Sequence, residues 1–239
     1  MRSDANGKTH DRMKTTTLFL VRHGETQWNV ESRIQGHLDT PLNHIGESQA
    51  QALGARLLRE RFDAAYSSDL SRAWHTARMS VLDPERNIIR DGRLRERHLG
   101  VLQGLTHAEA TIDQPKAWQA LQSRDAHRAL TGGESLGEFS RRVLGFMDDI
   151  VEKHPGARVL VVTHGGVLNE VYRRAKGLPH AVPRNFPIYN ASVNVLRHGN
   201  GTWDIEAWGD VSHLSQIPAL DDASEAVMVP NCAKTTIKV

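Results

Sequence analysis

The sequence predicts an α/β fold, a three-layer sandwich in which helices cover both faces of a mostly parallel central sheet. The first reason is that apolar, β-branched segments of strand length alternate along the chain with amphipathic segments of helical period. The second is that 239 residues with 39% hydrophobic and 24% charged side chains are ordinary for a globular protein with its own core. Cys232 is the only cysteine, so the core of such a fold would be held together without an internal disulfide framework or a multi-cysteine zinc site.

The first half of the chain contains two strand patterns and two helix patterns. Residues 15–21 are β-branched and apolar and predict a buried strand that ends in Arg-His-Gly. Apolar residues at helical spacing over 43–61 predict the first helix. A short strand over 62–67 follows, and the next two residues, a serine and an aspartate, are candidate N-caps for a helix that runs to about residue 82.

The second half continues this alternation. A weak strand over 87–89 precedes an irregular, arginine-rich stretch, and two helices follow over 106–124 and 135–153. The clearest buried strand of the chain is Arg158–Thr163. After it, the sequence predicts a helix over 167–176 that closes at a glycine, and then a hairpin with strands over 192–197 and 202–208 around Gly-Asn-Gly.

These elements predict one domain over residues 15–213, between a flexible N-terminal tail (1–14) and a C-terminal tail (214–239) without periodic pattern. The N-terminus lacks the apolar core of a secretory signal, and no apolar run has the length of a membrane span. The balance of 30 basic and 28 acidic side chains does not indicate nucleic-acid binding. We therefore expect a cytoplasmic protein with neither nucleic-acid nor membrane partners.

The end of the first predicted strand carries the first candidate site, Arg22-His23-Gly24-Glu25. A neutral imidazole can attack phosphorus while a neighbouring guanidinium group neutralises the phosphoryl oxygens, and Gly24 would let the backbone approach an anion closely. A lone histidine at a strand end is more often a capping residue. Because Arg-His-Gly-Glu arises by chance only about once in a thousand chains of this length, we take His23 as the candidate nucleophile.

The strand Arg158–Thr163 ends in the same way, with His164-Gly165-Gly166 leading into a helix whose N-terminus would attract phosphate. Since ligands of open α/β sheets bind beyond the carboxyl ends of the strands, His23 and His164 are expected to face the two sides of one phosphoryl group. Arg72, one turn into a predicted helix, is a further candidate. Its alternative interpretation is an exposed helical arginine paired with Asp69 at i, i+3.

A carboxylate completes the predicted chemistry. Glu96 lies in the segment Leu94-Arg95-Glu96-Arg97-His98-Leu99-Gly100. Repulsion from a bound phosphate dianion favours the protonated form of a nearby carboxyl, whereas adjacent arginines favour the charged form. Glu96 is therefore a candidate to protonate a leaving oxygen and later to deprotonate water.

Together these motifs resemble the histidine phosphatase superfamily, which also contains the cofactor-dependent phosphoglycerate mutases. The resemblance covers about residues 16–212 and implies a phosphoglycerate mutase-like fold. It implies that His23 is transiently phosphorylated, that Arg22, Arg72 and His164 complete the phosphate pocket, and that Glu96 is the proton donor. It also implies that the site is lined by Gly24, Thr26, Asn29, Gln35, Gly36 and Gly165.

The resemblance leaves two enzymatic alternatives open. Residues 96–105 are very similar to the corresponding mutase segment, but mutases have Tyr where Leu99 stands and Lys where His107 stands. Only 68 positions separate Glu96 from His164, which leaves little room for the mutase insertion that grips phosphoglycerate. We therefore favour a phosphatase; the alternative is a mutase, an intramolecular phosphotransferase primed by 2,3-bisphosphoglycerate. A non-catalytic binder of phosphorylated ligands would be expected to lose His23 or Glu96.

The expected partner is a small phosphorylated metabolite, with no metal and no other cofactor. The segment from about residue 106 to residue 136 is expected to cover the mouth of the pocket. Four charged residues in it are candidates to meet a substrate anion, although solvent exposure is the favoured interpretation: Asp113, Lys116, Arg124 and Arg128. The resemblance makes a homodimer plausible, and the sequence neither supports nor opposes it.

Overall fold

The structure is a computed structural model in which residues 15–81 and 87–221 are described. The strands are β1 Thr16–Arg22, β2 Ala64–Ser67, β3 Ile88–Arg90, β4 Arg158–Thr163, β5 Val193–Gly199 and β6 Thr202–Asp210. They form one sheet in the order β3-β2-β4-β1-β5-β6. The strands β1 to β4 run parallel, β5 is antiparallel to β1, and β6 is antiparallel to β5, which confirms the mostly parallel sheet.

The helices are α1 Gln27–Val30, α2 His44–Leu57, α3 Ser71–Ser80, α4 His107–Asp113, α5 Pro115–Gln122, α6 Leu136–Lys153 and α7 Gly165–Lys176. Because successive side chains of a strand point to opposite faces, β1 contributes to two cores. Leu18 packs in a cluster with Phe146 of α6 and Leu168 of α7. Phe19 packs on the other face with Leu53 of α2. The sheet is therefore covered on both faces, and the predicted three-layer α/β fold is confirmed.

The register of β1 and β4 determines where the two His-Gly sequences meet. The two strands are parallel neighbours, with Val21 opposite Val162 and Arg22 opposite Thr163. The residues that follow these paired ends therefore leave the sheet side by side at its carboxyl edge.

The predicted helix over 106–124 is wrong as a single element, because the structure divides it into α4 and α5. The break lies at Gln114, whose backbone has φ −133° and ψ 51°. Pro115 follows it, and a proline disfavours the helical conformation of the residue before it. The same proline is accommodated as the first residue of α5, where its missing N–H costs nothing.

The start of α3 also differs from the prediction. The helix begins at Ser71 after Leu70, whose side chain makes no capping hydrogen bond, and the backbone N–H of Ser71 donates to the carboxylate of Asp39 at 2.7 Å. Asp69, a predicted N-cap, instead accepts hydrogen bonds from the guanidinium group of Arg95. The short helix α1, capped by Thr26, was not predicted.

The segment 214–221, which was assigned to a C-terminal tail, packs against the domain. Leu214 is buried, and the carbonyl of Pro218 accepts a hydrogen bond from Gln49. The carbonyl of Leu220 accepts one from the backbone N–H of Asn190. The predicted tail regions 1–14 and 222–239, and the end of the predicted helix near residue 82, lie outside the described residues.

No helix within residues 15–81 and 87–221 combines the length and the apolar character needed to cross a membrane.

Candidate active site

The two histidines lie in contact at the carboxyl edge of the sheet. His23 directly follows β1, and its backbone N–H donates to the carbonyl of Thr163, the last residue of β4. His164 follows Thr163 and precedes α7. The two imidazole rings have centroids 5.2 Å apart, and both side chains are buried. The structure therefore confirms that the ends of β1 and β4 bring the two histidines together.

The hydrogen bond of His23 selects one tautomer of its ring. Nδ1 lies 2.7 Å from the carbonyl oxygen of Gly24. A carbonyl oxygen only accepts, so Nδ1 must carry the proton. In the neutral ring, Nε2 then holds the lone pair, which makes it the nucleophilic atom.

The surroundings keep this ring neutral. Burial lowers the pKa of His23 well below its usual 6.5, and the positive charges of Arg72 and Arg22 lower it further, against the opposing hydrogen bond to Gly24. The pKa of His164 is also well below 6.5, because of burial and then of the positive charge of Arg72. Both imidazoles are therefore uncharged at neutral pH.

This burial makes the stability of the protein depend on pH. Below pH 6.5, the usual pKa of a histidine, the unfolded chain binds protons at residues 23 and 164 that the native protein does not bind. The free energy of unfolding should therefore fall with falling pH, by up to about 1.4 kcal/mol per pH unit for each histidine. Urea unfolding of His23→Asn, whose amide does not titrate, should show a slope shallower by about that amount between pH 6 and 5. An unchanged slope would contradict the neutral state of His23.

Two buried arginines are held by backbone carbonyl groups. Arg22 ends β1 and donates from Nη1 to the carbonyl of Ile188 at 2.7 Å and to that of Leu220 at 3.3 Å. Arg72, on the first turn of α3, donates to the carbonyls of Gly36 and Leu38 at 2.8 and 3.0 Å. Each is 1% exposed, so the interpretation of Arg72 as an exposed helical arginine is wrong. Backbone carbonyls orient each guanidinium group without neutralising its positive charge.

Glu96 reaches the same site from the loop after β3. Its Oε1 accepts from the backbone N–H of Arg97 at 2.7 Å, and its Oε2 accepts from that of Gly166 at 2.8 Å. Gly166 is the second residue of α7, so the carboxylate is anchored to the helix that follows His164. Glu96 and His23 line one cleft.

A supporting group that we did not predict fixes the loop of Glu96. Arg142 of α6 donates to the carbonyls of Arg95 and Glu96, and also to both carboxylate oxygens of Glu134 at 2.8 and 2.9 Å. Arg142 is a positioning residue, since it holds the loop backbone. The signal available in the sequence was Glu134, in a Gly-Gly-Glu-Ser motif two helical turns before Arg142.

The cleft around these groups encloses about 920 Å³, open space at its mouth included, which is the size of a small-molecule site. Of the six further lining residues that the resemblance implies, four line this cleft: Asn29, Gln35, Gly36 and Gly165. The region 106–136 contributes His107, Leu121 and Leu136 to the wall. Asp113, Lys116 and Arg128 are exposed, and Arg124 donates to the carbonyl of Val182.

Gly24 has a packing role and Thr26 a helix-capping role that the sequence did not predict. A Cβ atom on Gly24 would lie 2.5 Å from the carbonyl oxygen of Gly46 in α2, so the glycine is required by close packing of two backbone segments. Thr26 is fully buried, and its hydroxyl caps α1 by accepting from the backbone N–H of Asn29. Within the described residues, neither belongs to the wall of the cleft.

A nucleophilic imidazole, a second histidine, two carbonyl-held arginines and a carboxylate at the edge of an α/β sheet define an enzyme that transfers phosphoryl groups. The comparisons with known proteins agree. The profile of the histidine phosphatase superfamily (branch 1) matches residues 18–211, and the chain belongs to this family.

The names of the relatives refer to mutases as well as to phosphatases. The chain is 44% identical to phosphoglycerate mutase-like protein 4 of Arabidopsis thaliana, over 83% of this chain and 87% of the relative. It is 43% identical to the metal-independent phosphoserine phosphatase of the same plant, over 85% of each. Among solved structures, YhfR of Bacillus stearothermophilus superimposes with a TM-score of 0.76 at 38% identity, covering 83% of this chain and 99% of that one.

Proposed function

We propose that the protein is a metal-independent phosphomonoester hydrolase that acts on a small phosphorylated metabolite through a phosphohistidine at His23. The observation that carries this proposal is the neutral imidazole of His23, whose Nε2 holds a lone pair beside Arg22 and Arg72. A nucleophile of this kind needs no metal, because the guanidinium groups supply the positive charge that phosphoryl transfer requires.

In the first step, Nε2 of His23 attacks phosphorus and forms the P–N bond. The P–O bond to the alcohol breaks, and its electron pair remains on the leaving oxygen, which takes a proton from Glu96. Arg22 and Arg72 stabilise charge on the equatorial oxygens. Nδ1 of His164 has no hydrogen-bond partner among the described residues, while its Nε2 lies 2.8 Å from the Ser68 hydroxyl. With this hydroxyl donating to Nε2, Nδ1–H is left to donate to a phosphoryl oxygen.

In the second step, water attacks the phosphohistidine in line. Glu96, now a carboxylate, takes a proton from the water as the new P–O bond forms. The P–N bond breaks, its electron pair returns to Nε2, and inorganic phosphate leaves. The enzyme is regenerated with neutral His23 and protonated Glu96.

Two residues of the wall favour water over a second hydroxyl as the acceptor. Leu99 and His107 line the cleft, at the positions where the mutases of the family have Tyr and Lys. An apolar side chain at position 99 provides no hydrogen bond to a bound phosphoglycerate. The second candidate function is a mutase primed by 2,3-bisphosphoglycerate, which the 36% identity to a relative named as a probable phosphoglycerate mutase favours. The cytoplasmic location and the homodimer stay predictions.

The test is phosphate release from a panel of phosphomonoesters in the presence of a chelator, beside an isomerisation assay with 3-phosphoglycerate and 2,3-bisphosphoglycerate. We expect phosphate release that the chelator does not affect, without isomerisation. Efficient isomerisation would make the mutase the function. Loss of phosphate release on chelation would refute metal independence.

A further inference from the structure

The wall of the cleft includes a buried carboxylate that the proposed reaction does not use. Glu170 of α7 lines the same cleft as His23 and is 2% exposed. Its Oε2 lies 2.8 Å from Nε2 of His180 and accepts a hydrogen bond from it. Its Oε1 is buried and has no hydrogen-bond partner among the residues that the structure describes. A buried carboxylate oxygen without a donor is costly, and a bound ligand that donates to it would remove the cost.

The position of Glu170 on α7 relates it to the reacting groups. Residues four apart on a helix share a face and lie about 6 Å apart along its axis. Glu170 therefore follows Gly166 by one turn on the same face. Since the N–H of Gly166 holds the carboxylate of Glu96, the Glu170 backbone is one turn away from the residue that anchors the proton donor. A leaving group of a few bonds spans such a separation.

Side chains of both charges line the cleft: Arg22, Arg33, Arg72 and Arg97 on one side of the balance, and Glu96, Glu170 and Asp221 on the other. Arg22 and Arg72 stand beside His23, where the phosphoryl group is expected. Glu170 adds a carboxylate one helical turn from the start of α7. A ligand with a phosphate at one end and an ammonium group at the other matches both charges. An ammonium group would donate a charge-assisted hydrogen bond to Oε1, which is stronger than the neutral bond that a hydroxyl group donates.

We propose that Glu170, oriented by His180, binds an ammonium group on the alcohol part of the substrate. The enzyme would then select phosphorylated amino alcohols, in which a short spacer separates the ester oxygen from the amine. This inference rests on the proposed hydrolase function and names its substrate class.

The first test uses three esters that differ only in their terminal group: 2-aminoethyl phosphate, 2-hydroxyethyl phosphate and ethyl phosphate. We expect kcat/KM for the aminoethyl ester to exceed that for the ethyl ester by about 10- to 100-fold, the effect of a charge-assisted hydrogen bond. The hydroxyethyl ester should lie between them. Equal values for the three esters, or a preference for the hydroxyethyl ester, would overturn the inference. Absence of phosphate release from every ester would instead refute the proposed hydrolase function.

The second test assigns the preference to Glu170. In Glu170→Gln, the ratio of kcat/KM for the aminoethyl and ethyl esters should fall about 10-fold or more. Glu170→Asp, which keeps the charge, should retain part of the preference. The matched control is Glu152→Gln, the same change at an exposed position of α6, and it should keep the wild-type ratio. A wild-type ratio in folded Glu170→Gln would overturn the assignment. If that variant fails to fold, the three-ester comparison on the wild-type enzyme still tests whether the enzyme selects phosphorylated amino alcohols.

Discussion

Replacement of His23 by alanine is expected to lower kcat for every phosphomonoester by at least about 10⁴-fold, because it removes the atom that forms the covalent intermediate. The measurement is steady-state phosphate release, with chemical quench of the wild-type enzyme on a radiolabelled substrate. The wild type should yield a protein-bound label that is lost in acid and survives alkali, as phosphohistidine does. His23→Ala should yield no label.

The matched control for this prediction is His75→Ala, which removes an exposed histidine on α3. It should keep the wild-type rate and the protein-bound label. Retention of the label in folded His23→Ala would show that another residue accepts the phosphoryl group, and would contradict the assignment of the nucleophile.

Replacement of Glu96 by glutamine is expected to lower the turnover of alkyl phosphates by about 10²- to 10⁴-fold, because the leaving alkoxide then lacks its proton. An ester with a weakly basic leaving group, p-nitrophenyl phosphate, does not need that proton. In rapid-mixing experiments the variant should therefore still release a burst of p-nitrophenolate and then turn over slowly, since the hydrolysis of the phosphohistidine also uses Glu96. Alkyl esters should show no burst.

A thermal unfolding measurement must accompany this test, because the Glu96 carboxylate accepts two backbone hydrogen bonds and an amide side chain reproduces only one of them. The control Asp113→Asn removes a negative charge at an exposed position of α4 and should keep the rate on both types of ester. If folded Glu96→Gln lost the first turnover of both types by the same factor, Glu96 would not be the general acid.

The paired histidines could be predicted before the fold was known because their signal is local. A strand of four to seven apolar residues followed by His-Gly places the imidazole at a strand end, and parallel strands bring such ends to one edge. The helix ends that were predicted correctly have the same basis. Ser135 caps α6 through Glu138, three residues on, and Gly177 ends α7 in the left-handed conformation with φ +63°.

The errors share a different cause. Asp69 was predicted to cap α3, or to pair with Arg72, from sequence distances of two or three residues. Its carboxylate instead pairs with Arg95, 26 residues away. At Gly24, no pattern of spacing indicated that Gly46 packs against the backbone there and excludes a side chain. Propensity and spacing describe only near neighbours, so they contain no information on such contacts.

The α/β class and the placement of the two histidines at strand ends followed from amino-acid order alone, because strand period, helix caps and strand-end motifs depend on residues within about one turn of each other. The charge environment of the site required the tertiary structure. The Arg22 guanidinium is held by carbonyls 166 and 198 residues away, and Glu170, whose Oε1 has no hydrogen-bond partner in the described part of the chain, reaches the cleft only through the packing of α7. The burial and orientation of charged groups depend on which distant segments contact each other, and these contacts form only when the whole chain packs.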